Sequence, residues 1–111
     1  MKKLLYLGLL MTFFACKKSD QPSTELAKIV GDYYEEQLKL NPGAATANGD
    51  NRYNDQLNID FTDSHRALVK SVLEKYQASL GALNRADLNA NDQITYDLLT
   101  RDIKLGLEGL T

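Results

Sequence analysis

Few residues in this 111-residue chain have the types and spacing that chemistry needs. The single histidine, His65, stands in Asp63-Ser64-His65-Arg66 at an expected helix start, where it reads as a solvated first-turn side chain. There is no His-Glu-x-x-His pair, so the two-histidine helical zinc site is missing. Asp87-Leu88-Asn89-Ala90-Asn91-Asp92 sets oxygens at alternate positions, as the opening of a calcium loop does. The match fails where the loop must turn, because Asp92 replaces the glycine, and where it must close, because Leu98 replaces the bidentate glutamate. Helix capping accounts for these side chains. Glu35 and Glu36 are adjacent, so on a helix they point roughly 100° apart and make a poor acid–base couple. Tyr33-Tyr34 reads as core rather than as a stacking platform. No serine stands in a nucleophile context, and the glycines build no loop that cradles phosphate. The sequence therefore assigns no catalytic, cofactor-binding or metal-ligating residue.

Cys16, the only cysteine, has a chemical assignment of another kind. Lys2 and Lys3 precede an apolar run, Leu4 to Phe14, broken only by Gly8 and Thr12. A charged segment followed by a short apolar one is the pattern of a signal peptide. Eleven helical residues rise about 16 Å, roughly half of a bilayer core, too short for a permanent span. Phe13-Phe14-Ala15-Cys16 resembles a bacterial lipobox, although Phe13 departs from the usual leucine. The resemblance implies a diacylglyceryl group on the Cys16 sulfur and an acyl group on the new amino terminus. Several acyl chains anchor stably where one binds only marginally. Residues 1–15 are then a lipoprotein signal peptide, and residues 16–23 are the lipidated cysteine with a flexible tether. The expected location is the bacterial cell envelope, with the chain lipid-anchored at the outer membrane or facing the periplasm, and the membrane as a partner.

Composition limits the remaining classes. Hydrophobic residues at 43% and charged residues at 25% suit one small globular domain rather than a disordered chain. The formal net charge is −2, and without Lys2 and Lys3 it becomes −4, so no basic footprint for nucleic acid exists. A single cysteine excludes an internal disulfide framework.

The elements that would position any site are helical, so the expected class is all-α: three main helices, with a short helix after the first. Ser23 and Thr24 are candidate caps for a helix to about Leu40. Leu26, Ile29, Val30, Tyr33, Tyr34, Gln37 and Leu38 give its inward face, and Glu35 and Lys39 are spaced as an ion pair. Asn41-Pro42 stops that helix and starts a short one, with Gly49 as its left-handed stop. Asp50 to Asp60 reads as loop anchored by Tyr53, Leu57 and Ile59, with two short strands around Tyr53 and Ile59 as the alternative. Phe61 is placed to staple the next helix, Asp63 to Leu83, whose stripe is Val69, Val72, Leu73, Tyr76, Leu80 and Leu83. The third helix starts near Asn89 or Asn91. Its Ile94, Tyr96, Leu98, Leu99, Ile103, Leu105, Leu107 and Leu110 spread over more than one side, and no stop signal follows Leu110. A helix apolar on several sides needs several neighbours.

Asp32-Tyr33-Tyr34, Asn41-Pro42, Ala45-Thr46, Gly49, Tyr53 and Leu57, followed by Asp92, Ile94 and Tyr96-Asp97-Leu98-Leu99, form an ordered set. In order and spacing this set is similar to the N-terminal region of the bacterial family called domain of unknown function 885. The resemblance covers about Thr24 to Leu110. It implies a much longer, mainly helical protein, often an exported lipoprotein, grouped with zinc metallopeptidases of the gluzincin type. The family's zinc motif lies far downstream, so zinc would belong to a full-length protein and no metal ligand carries over here. Residues 24–111 would then be an incomplete helical N-terminal region, a scaffold helping to wall a substrate channel. Its partner would be the missing C-terminal part of the same protein, or another helical protein. The alternative is a complete small helical lipoprotein, a binding or envelope-structural module.

Overall fold

The computed structural model describes residues 20–57 and 60–111. The expected signal peptide, Cys16, the start of the tether and Ile59 lie outside the described residues. Among the described residues there are four α-helices and no strand, which makes the fold all-α. Tyr53, one centre of the alternative strand pair, sits instead in a 3-10 turn spanning Asn51–Tyr53.

Helix α1 runs Thr24–Leu40. Ser23 caps it by accepting from the Leu26 amide at 3.1 Å, and Glu25 adds a carboxylate to the first turn, where the helix dipole favours it. Tyr34 departs from expectation and is exposed. Successive helical residues diverge by about 100°, so only one of Tyr33 and Tyr34 can face inward, and Tyr33 does. Helix α2, Pro42–Ala47, places Pro42 at its first position, where a missing N–H costs nothing. Asn41 stands at the cap position without a side-chain cap bond; its amide reaches back to the Gln37 carbonyl at 3.5 Å. Gly49 has φ +84°, the left-handed geometry expected of the stop.

Arg52 then pins the loop to α1. It holds both Glu35 oxygens at 3.0 and 3.1 Å and Asp50 at 2.6 Å. Glu35 therefore pairs with Arg52 rather than Lys39, because a planar guanidinium meets two carboxylate oxygens at once. One expected loop anchor and the expected staple fail. Leu57 is 94% exposed and Phe61 is 84% exposed, so neither staple nor anchor forms there.

Helix α3 spans Asp63–Gly81, capped by the Thr62 hydroxyl on the His65 amide at 3.2 Å. It ends two residues before the expected Leu83. A 3-10 turn at Arg85–Asp87 leads to helix α4, Ala90–Glu108, capped by Asn89 on the Asp92 amide at 2.8 Å. Contrary to the missing stop, α4 ends at Gly109, and Arg66 near the start of α3 takes the Leu110 carbonyl at 2.8 Å. A cation at those free carbonyls suits the negative end of the helix.

The core gathers Leu26 from α1, Leu73, Tyr76 and Leu80 from α3, Leu88, and Leu99 and Ile103 from α4. The α3–α4 contact is the most extensive of any helix pair. Gly106 permits close approach there, since a Cβ at that position would lie 3.0 Å from Leu73 Cδ1. Tyr33 meets Tyr76 edge to face, with ring centres 5.3 Å apart, a preferred aromatic geometry. A second buried group, Leu38, Leu40, Pro42 and Ala45, fills the corner between α1 and α2.

Candidate functional site

The side chains with chemical potential are dispersed rather than gathered. In the Asp87–Asp92 segment, the oxygens turn to different tasks. Asp87 accepts from the Asn84 amide at 2.8 Å, while Asn89 caps α4. Asp92 accepts from the Ser23 backbone N–H at 2.6 Å and from the Asn89 amide at 3.1 Å. The Asn89 amide also donates to the Gln21 carbonyl at 3.1 Å. This segment is a knot that joins the starts of α1 and α4 around one carboxylate, not a cation loop. Negative charge is favourable at both helix ends it touches.

Glu35 and Glu36 diverge likewise, Glu35 to Arg52 and Glu36 to Lys75. Each is paired with a cation from a distant part of the chain. The Lys75 ammonium also lies over the Tyr76 ring, 4.8 Å from its centre. The Tyr33 hydroxyl donates to Asp102 at 2.7 Å. Burial, and after it that hydrogen bond, pushes the Tyr33 phenol well above its ordinary range. Burial raises the Tyr76 phenol too, and its hydroxyl has no hydrogen-bond partner among the described residues. Arg85 grips Asp97 through two bonds of 2.7 and 2.6 Å and holds that carboxyl below the usual carboxylate range.

His65 lines an open cleft of about 460 Å³ with Lys39, Leu40, Pro42, Leu57 and Leu68. Half of the other lining residues are polar, namely Lys39, Gln56, Thr62 and Ser64, and no carboxylate is among the described residues that line it. Among the described residues no group of three or more His, Cys, Asp or Glu side chains could hold a metal ion. The zinc implied by the family resemblance has no such ligand set among the described residues. No described helix is long and apolar enough to cross a membrane. Cys16 lies outside the described residues.

What the structure assembles is a surface. Tyr96, Leu99, Ile103, Leu107 and Leu110 face the core from α4 and the turn after it. Ile94, Leu98 and Leu105 lie on a stripe about 160° round the helix from that face. They are 58%, 61% and 55% exposed, against 1% for Ile103. The sequence indicated an apolar excess on α4 without resolving it into two opposite stripes. The four-three-four spacing of Ile94, Leu98, Arg101 and Leu105 was the available signal. Arg52, which clamps the loop, and Asp92, which ties two helices, were missed as well, because their partners are distant in sequence or lie in a polar loop.

No family model, no curated protein and no solved structure matches this chain.

Proposed function

We propose that this chain is the N-terminal scaffold segment of an exported, membrane-anchored lipoprotein. The full-length protein would resemble the domain of unknown function 885 family, with any zinc-dependent peptidase chemistry lying downstream of the residues present here. One observation carries the reading: α4 is apolar on two opposite sides, and only one side is covered. An outward stripe of three large aliphatic side chains is what a helix inside a larger helical body presents to its next neighbour. The lipobox-like Phe13-Phe14-Ala15-Cys16 supports the anchor, and the scattered, internally paired charges support a scaffold rather than a catalytic role.

The reading is tested by the mass of the native protein in the host membrane fraction, detected with an antibody to residues 48–60. A band several times larger than 12.4 kDa is expected. A band near 10 to 12 kDa, about the mass of this chain with or without its first 15 residues, would sink it. In the same fractionation a Cys16→Ser variant should leave the detergent phase, and retention there would remove the lipid anchor.

A second reading is supported by the core around Leu26, Tyr76 and Ile103, which three helices of this chain close among themselves. On it the chain is a complete small lipoprotein, a binding or envelope-structural module. The small band would favour this reading.

A further inference from the structure

We propose that Asn48 is a self-modification site: it loses its side-chain ammonia to attack by the Gly49 backbone nitrogen, when the end of α2 opens locally. Of the eight asparagines, Asn48 alone precedes a glycine. A side chain on the following residue crowds the attacking nitrogen, and a following proline offers no N–H; glycine has neither fault. Space is open there too, since no atom beyond the chain neighbours lies within 4 Å of where a Gly49 Cβ would stand. Asn48 and Gly49 are both exposed, so water reaches the product. The site is the same whether the chain is a fragment or whole.

The reaction needs only the chain and water. The Gly49 nitrogen bonds to Asn48 Cγ, the Cγ–Nδ2 bond breaks, and the amide leaves as ammonia with the Gly49 proton. Water then opens the cyclic imide. Opening at Cγ leaves aspartate. Opening at the backbone carbonyl leaves isoaspartate, whose main chain runs through the former side chain and is longer by a methylene.

The folded geometry restrains this chemistry. Ring closure requires the Gly49 nitrogen to eclipse the Asn48 Cβ, which stands about 120° round the Cα–C bond from the Asn48 nitrogen. Asn48 has ψ 5°, so the Gly49 nitrogen eclipses the backbone nitrogen instead. The Gly49 amide also donates to the Thr46 carbonyl at 2.9 Å. Both restraints belong to the end of a six-residue helix, too short to be stable alone. The buried Pro42 and Ala45 hold α2 further back, and the Thr46 hydroxyl ties its end to Asn54 at 2.6 Å. Fraying of that end frees Asn48 while the core of α1, α3 and α4 stays closed.

Conversion acts back on the fold. Asp50 follows directly; its N–H donates to the Ala45 carbonyl at 2.9 Å, and its carboxylate holds Arg52. A lengthened main chain displaces both, and the new carboxylate stands at the negative end of α2. The Arg52 clamp on Glu35 is therefore the contact that conversion releases.

The 111-residue chain is incubated in mildly alkaline buffer, folded and in urea, and each asparagine is followed by peptide mapping. Position 48 should convert first in both, more slowly in the folded chain by about tenfold. Thr46→Val removes the Asn54 tie without changing charge; it should speed conversion of the folded chain about two- to tenfold and leave the rate in urea unchanged. Ile103→Val loosens the central core and should change neither rate. In the purified isoaspartyl form, amide exchange at residues 50, 52 and 54 should quicken about tenfold, with the middles of α3 and α4 unchanged. Earlier conversion elsewhere, equal rates with and without urea, or no conversion of the folded chain would overturn the proposal. A folded rate that ignores Thr46→Val, or that rises with Ile103→Val, would overturn the local opening. Unaltered exchange in the isoaspartyl form would overturn the release of Arg52.

Discussion

Removing the Asp92 carboxylate should loosen the whole bundle, because that one group holds the starts of two helices. It accepts from the Ser23 amide at 2.6 Å and from the Asn89 side chain at 3.1 Å. A hydrogen bond to a charged group is worth about 1.5–3 kcal/mol, and a carboxylate at a helix start about 0.3–1 kcal/mol per helix. The site is only part-buried, so water can replace some of the loss, and Asp92→Ala should cost about 2–3 kcal/mol. Asp92→Asn keeps an acceptor and loses the charge, at a cost of about 1 kcal/mol. Asp63 supplies the control. It lies in the first turn of α3 but ties no second helix, so Asp63→Ala should cost about 0.3–1 kcal/mol. Urea unfolding followed by helical circular dichroism reads the difference. With a slope of about 1–2 kcal/mol/M, Asp92→Ala should lower the midpoint by about 1–3 M. The reasoning fails if Asp92→Ala moves the midpoint no further than Asp63→Ala does.

Two further outcomes follow from burial. Ile103→Ala should destabilise by about 2–5 kcal/mol, while Leu98→Ala on the opposite side of the same helix stays within about 0.5 kcal/mol for the 111-residue chain; equal effects in chemical unfolding would contradict the two-sided description of α4. Burial, reinforced by Asp102, raises the Tyr33 phenol above its ordinary 10.0, so the unfolded chain loses this proton first as pH rises. Stability is then level with respect to this group below about pH 10 and declines above it; Tyr33→Phe should flatten part of that decline in melts at pH 9 and 11.

Local signals were the legible part of this fold. Ser23, Asn41-Pro42, Gly49 and Asn89 each act within about four residues, and the helix starts fall where they indicate. The inward stripes of α1 and α3 were readable from spacing, apart from Tyr34, since period alone cannot decide which of two adjacent tyrosines wins the core. The sequence shows no stop signal after Leu110, yet the helix already ends at Gly109, and the Arg66 contact that secures that end spans 44 positions. Leu57 and Phe61 misled for a related reason: an apolar side chain in a loop needs a wall to meet, and nothing local reveals whether one is present. The outer stripe on α4 was visible as excess rather than as geometry until the inner face had been assigned.

The two polar ties between α1 and α4, Ser23 to Asp92 and Tyr33 to Asp102, each span 69 positions. Closing so long a loop is slow compared with zipping the adjacent α3 and α4, whose short connection lets them meet early. The helix that emerges first among the described ones thus waits longest for its full seat. Until α4 emerges, Leu26, Ile29 and Tyr33 can meet only the α3 half of their core. During that interval α1 is the segment most open to chaperones and proteases, and mutations that weaken it should reduce yield before they reduce the stability of the finished fold.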